Sequence, residues 1–93
     1  MRSIEIEVRS ESGLHARPAA AFVRAAAAYA STIRLENITA ARPAVDAKSI
    51  TAVMTAGVEK GHVVRIEADG PDEDIAVEDL SRLLAGLGEP VGE

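Results

Sequence analysis

Gly13-Leu14-His15-Ala16-Arg17-Pro18 is the stretch on which the reading of this chain turns. Before it, Arg2 to Arg9 alternates: Ile4, Ile6 and Val8 fall on one face, and Ser3, Glu5, Glu7 and Arg9 on the other. That period of two predicts a half-buried strand. Glu11-Ser12-Gly13 breaks it with turn residues. After it, Ala16 to Ala30 is alanine-rich, and Ala19, Phe22, Val23 and Ala26 recur at helical spacing, which predicts a helix with one buried stripe. His15 therefore lands where a strand gives way to a helix, at the N-cap or just before it.

That boundary has a chemistry. The first N–H groups of a helix lack intrahelical partners, and the macrodipole makes that end electropositive. An anion is stabilised there. Ala16 offers its N–H at this end, and Arg17 adds a planar cationic fork suited to phosphate oxygens. Pro18 has no N–H, a loss that costs least in the first turn. Histidine is a poor N-cap beside Ser, Thr, Asp or Asn, and a cation at this end of a helix is unfavourable unless an anion visits it. The positive helix end also disfavours imidazolium, leaving a neutral, nucleophilic ring. These residue types in this order suit a transient phosphohistidine at His15, with Ala16 and Arg17 binding the phosphate.

The remaining elements follow outward. Thr32 to Glu36 alternates, with Ile33 and Leu35 inward; a loop from Asn37 to Arg42 leads to a short strand over Pro43 to Asp46, whose proline argues for an edge or a strand start. Ser49 is a good N-cap for a short helix to Ala56, and Gly57 a good stop. Val53 should be inside, with Ile50 and Met54 at least partly exposed. After the turn Glu59-Lys60-Gly61, His62 to Ala68 is a further strand, and His62 is read as a surface residue without a partner. The last helix starts near Asp72, where Asp72, Glu73 and Asp74 match the positive end of the dipole and argue against a metal site. Its apolar face is Ala76, Leu80, Leu83, Leu84 and Leu87, weakened by Gly86 and Gly88 and stopped by Pro90. The order βαββαβα predicts an α+β domain, a four-stranded antiparallel sheet with three helices on one face. Residues 1–88 form that domain, and 89–93 a frayed tail.

With 93 residues the chain holds one domain and one core, built from aliphatic side chains and alanine, since Phe22 and Tyr29 are its only aromatics. The net charge of −5 argues against a nucleic-acid partner. The absence of cysteine excludes disulfides and thiolate chemistry. No apolar run is long enough to cross a bilayer and no signal peptide precedes the first strand, so a cytoplasmic location and no membrane insertion are expected; a monomer is the default expectation.

Gly13 to Ala19 resembles the active-site motif of the HPr family, the histidine-containing phosphocarriers of the bacterial phosphoenolpyruvate:sugar phosphotransferase system. Ala47-Lys48-Ser49-Ile50, followed by Val53-Met54 and Gly57, resembles the family's second signature, around its regulatory serine. The order and spacing of the two motifs are similar to the family's, and so is the element order of its open-faced β-sandwich. The resemblance implies that enzyme I, charged by phosphoenolpyruvate, phosphorylates Nδ1 of His15, and that the group then passes to a histidine of an enzyme IIA domain. It implies that Arg17 neutralises the phosphoryl charge and that Ala20, Ile50 and Met54 dock partners. It also implies regulation at Ser49 by HPr kinase/phosphorylase. No cofactor is implied, and the protein would be a carrier and not an enzyme. Thr51 departs from the large apolar residue common after Ile50, which makes the docking patch less apolar.

Other readings stay open at this stage. They are a regulatory paralogue that signals and moves no sugar, a small acylphosphatase-like hydrolase, and an interaction module in which His15 only caps. The hydrolase lacks a suitable asparagine to place water, since Asn37 reads as part of a distant loop.

Overall fold

The alternating runs become one antiparallel sheet because each leaves a single apolar face to bury. A computed structural model describes residues 1–11 and 13–86. Its elements are β1 (Arg2–Glu7), α1 (Ala16–Ala27), β2 (Thr32–Asn37), β3 (Val45–Asp46), α2 (Ile50–Thr55), β4 (Val63–Asp69) and α3 (Glu73–Gly86). The sheet order is β1-β4-β2-β3, and all neighbours are antiparallel. The expected βαββαβα order and α+β open-faced sandwich are found.

The central strand β4 sets the register. Ile66 lies opposite Ile4 on one side and Leu35 on the other, and Ala68 lies opposite Ile33. Ile33, Leu35, Val64, Ile66 and Ala68 are buried under the helices, where Ala19, Phe22 and Ala26 of α1, Val53 of α2, and Ala76, Val77, Leu80 and Leu84 of α3 complete the core. The alternate residues form the open face. There Arg65 lies between Glu5 and Glu36, with ion pairs of 2.7 and 3.2 Å. Such exposed pairs keep the face wet and add little stability.

Several boundaries and burials differ from the sequence reading; β1 ends at Glu7, short of Arg9, and β4 runs one residue later than expected. Helix α1 stops at Ala27, short of Ala30, because Asp72 takes the next free donors: its carboxylate accepts from the N–H of Ala30 at 2.8 Å and of Ser31 at 3.0 Å, and from the Ser31 hydroxyl. The Ser31 hydroxyl, and then the Ala30 amide, hold the Asp72 carboxyl below its ordinary pKa. Glu73 is also lowered, first by the N-terminal ammonium at 2.9 Å and then by the Gly70 N–H. Strand β3 is two residues long and excludes Pro43, since only Val45 and Asp46 pair with β2, opposite Leu35 and Arg34, and a proline has no N–H to give a ladder; the Asp46 carboxylate then accepts from the Lys48 N–H at 2.9 Å and turns the chain towards α2. Ile4 is exposed, because β1 is an outer strand with a neighbour on one flank only. Asn37 closes β2 and is fully buried, where the sequence reading put it in a loop. A hydrogen bond to Asp79 ties Tyr29, at the end of the α1 turn, to α3 and pushes the phenol up to about 12. The assignments made for Leu87, Gly88, Pro90 and the tail over 89–93 lie outside the described residues, as does the end of the 1–88 domain.

Candidate functional site

Gly13 decides how closely two loops can approach. Its φ is +60°, a region glycine enters without steric cost. A Cβ at this position would stand 2.1 Å from the carbonyl oxygen of Val58 and 2.8 Å from Cα of Glu59. The bare backbone lets the segment after α2 lie against the approach to α1, and the buried Leu14 seals the contact by donating its N–H to Val58 O at 3.0 Å.

His15 follows in extended conformation (φ −121°, ψ 155°) as the N-cap of α1, and its side chain makes no capping hydrogen bond. The ring is free of the helix end that it borders. It turns to a partner from the facing segment instead: Nε2 lies 3.2 Å from Oε2 of Glu59. The His15 side chain is 37% exposed, so bulk solvent and a docked macromolecule can both reach it. Arg17, one residue into the helix, is exposed, and its guanidinium forms no ion pair among the described residues. An imidazole and an exposed cation thus lie two residues apart at the N-terminus of a helix.

The second motif borders this surface through α2, which packs on α1. Ser49 caps α2, its hydroxyl accepting the Ala52 N–H at 3.2 Å. Val53 is buried, whereas Ile50 and Met54 are each 41% exposed and Thr51 is exposed beside them. Ala20 of α1 is half-buried.

His62 is not the isolated surface residue of the sequence reading. It is half-buried, and its Nδ1 accepts from the backbone N–H of Glu59 at 3.1 Å and lies 3.1 Å from Nδ2 of Asn37. Asn37 also donates to the carbonyl of Ala56 at 3.0 Å and accepts from the N–H of Ala40 at 3.1 Å. The turn between α2 and β4 is thereby pinned from below. Sequence reasoning missed Glu59 and its anchors, because 44 residues separate Glu59 from His15. The hint was Gly13, a residue type that often marks close backbone approach.

The acidic run at the start of α3 is engaged elsewhere. Asp72 holds Ser31 and Ala30, Glu73 holds the N-terminal ammonium, and Asp74 pairs with Arg2 at 2.8 Å. Among the described residues, no three His, Cys, Asp or Glu side chains converge as a metal site, and no helix is long and apolar enough to cross a membrane.

The chain is similar to known proteins in sequence and in fold. A family model described as PTS HPr component phosphorylation site matches residues 2–86. The chain is 39% identical over 87 residues to phosphocarrier protein HPr of Haemophilus influenzae, covering 94% of this chain and 99% of that protein. It is 41% identical over 85 residues to the multiphosphoryl transfer protein of the same organism, covering 90% of this chain but 17% of that longer protein. Among solved structures, HPr-C-His from Thermoanaerobacter tengcongensis superposes with a TM-score of 0.90 at 40% identity, covering 98% of this chain and all of the other.

Proposed function

From the premise that the chain belongs to the HPr family of phosphotransferase-system phosphocarriers, we propose that His15 carries the phosphoryl group between enzyme I and an enzyme IIA domain. One observation supports this most. His15 occupies the N-cap of α1 without capping it, so its ring is reachable and uncommitted to the helix beside an electropositive end. Nδ1 attacks phosphorus on charged enzyme I, the bond from phosphorus to the donor breaks, and the electron pair stays with the donor. Arg17 and the N–H of Ala16, in the first turn of the helix, balance the phosphoryl oxygens. The same group then leaves for the enzyme IIA histidine. The protein is the cargo-bearing intermediate of a relay serving sugar uptake, with no turnover of its own. It acts as a cytoplasmic monomer that binds neither nucleic acid nor a cofactor.

Ile50 and Met54, with Ala20 beside them, supply the partner surface. Thr51 makes that surface less apolar. Ser49 is the regulatory position for HPr kinase/phosphorylase. A phosphate there sits at a helix start that tolerates anions, and it places about −1.5 to −2 charges next to the docking residues.

The test is incubation with enzyme I and labelled phosphoenolpyruvate. The reading expects an acid-labile, base-stable label on the wild type and none on a folded His15→Ala protein. Label retained in that variant refutes the site; no label on the wild type leaves an interaction module as the better description.

A further inference from the structure

We propose that Glu59 is a positioning residue for His15, and that His62 and Asn37 hold Glu59 in place for that task. The inference rests on His15 being the phosphoryl acceptor. A carboxylate can only accept a hydrogen bond, so the 3.2 Å contact fixes the proton on Nε2 and leaves the lone pair on Nδ1. Nδ1 is the nitrogen that must attack. The contact continues to act after transfer. When Nδ1 bonds to phosphorus, the Nε2 proton stays on the ring, and the ring becomes cationic. Glu59 then faces a charged N–H, and charge-assisted hydrogen bonds are stronger than neutral ones. The interaction is therefore better in the phosphorylated state than in the free one, which is the condition for helping the step.

Glu59 is itself 62% exposed, and an exposed side chain left alone would spend little time in one place. Its backbone is what is held. The Glu59 N–H donates to Nδ1 of His62, the His62 N–H returns a bond to Glu59 O at 3.0 Å, and Asn37 braces His62 from the core. Leu14 and Gly13 clamp the preceding residue, Val58. These hydrogen bonds fix the backbone from which the Glu59 side chain leaves.

The experiment uses the whole protein and reads the His15 tautomer by two-bond 1H–15N correlation at about pH 8.5, well above an ordinary imidazole pKa. In parallel, kcat and KM for phosphorylation by enzyme I are measured. Glu59→Ala should raise the minor Nδ1–H tautomer about two- to fivefold and lower kcat by a similar factor at unchanged KM, the size of an exposed charged contact. Glu59→Gln keeps an acceptor oxygen and should restore the wild-type tautomer ratio. His62→Ala should move the ratio in the direction of Glu59→Ala. An unchanged ratio in Glu59→Ala, or an effect on KM alone, overturns the positioning role; an unchanged ratio in His62→Ala overturns the anchor. Failure of the wild type to accept phosphate while the tautomer still follows Glu59 would instead remove the phosphoryl-acceptor reading.

Discussion

Replacing Gly13 by alanine should damage both the fold and the site, and the structure separates the two costs. An alanine at φ +60° carries about 1–2 kcal/mol of left-handed strain. Its Cβ would also stand 2.1 Å from Val58 O, so the 58–59 backbone must retreat and the Leu14 N–H to Val58 O bond is lost. That bond is worth about 1 kcal/mol. The sum is about 2–3 kcal/mol, or a fall in Tm of roughly 10–20 °C for a domain of this size. Gly61 is the internal control. It too has positive φ, at +91°, but nothing lies within 4 Å of its missing Cβ, so Gly61→Ala carries strain alone. Calorimetry on both variants, with the His15 ring signals recorded alongside, gives the comparison. Gly13→Ala should lose more stability and displace the His15 signals, and Gly61→Ala should lose less and leave them in place. Equal losses with undisturbed His15 signals would refute the argument that a bare backbone at residue 13 brings Glu59 to the histidine.

The other predictions concern the cap, the core, the cation and acid. Ser49→Ala should lower stability by about 1 kcal/mol in a denaturant titration, because the Ala52 N–H loses its acceptor. Phe22→Ala should cost about 3–5 kcal/mol in the same assay, since Phe22 is the largest fully buried side chain. Arg17→Ala should slow phosphorylation by enzyme I about fivefold, the equivalent of about 1 kcal/mol, with Tm unchanged. Asp72 and Glu73 both have lowered pKa values in the folded state, so their stabilisation is complete above ordinary carboxylate values and is lost as pH falls through the folded ones. Unfolding followed from about pH 5 downward should show that loss, and Asp72→Asn should flatten it; an unchanged acid profile in the variant would remove Asp72 from the account.

Much of the architecture was legible because local period and tertiary burial agree. Ile33, Leu35, Val64 and Ile66 alternate in sequence and share one buried face in the sheet. Ser49, Val53 and the pair Ile50 and Met54 also follow local rules, a cap followed by a helix with one face inside. What escaped the sequence depends on residues far apart in the chain. The end of α1 is set by Asp72, 42 positions after Ala30. The exposure of Ile4 depends on which strand becomes the outer one, a property of topology. At the site, His15 and Arg17 are local to one motif, whereas Glu59 reaches His15 only because Gly13 allows the second loop to approach. His62 and Asn37 were misread for the same reason, since each is the other's partner across a loop and a turn.

The most direct measurement is the site and atom of phosphorylation after exposure to enzyme I and phosphoenolpyruvate. Intact mass followed by 31P–15N correlation on isotope-labelled protein reads both. The account predicts one added phosphoryl group, bonded to Nδ1 of His15, with the proton remaining on Nε2. A phosphoryl group on Nε2, on another residue, or on none would contradict it.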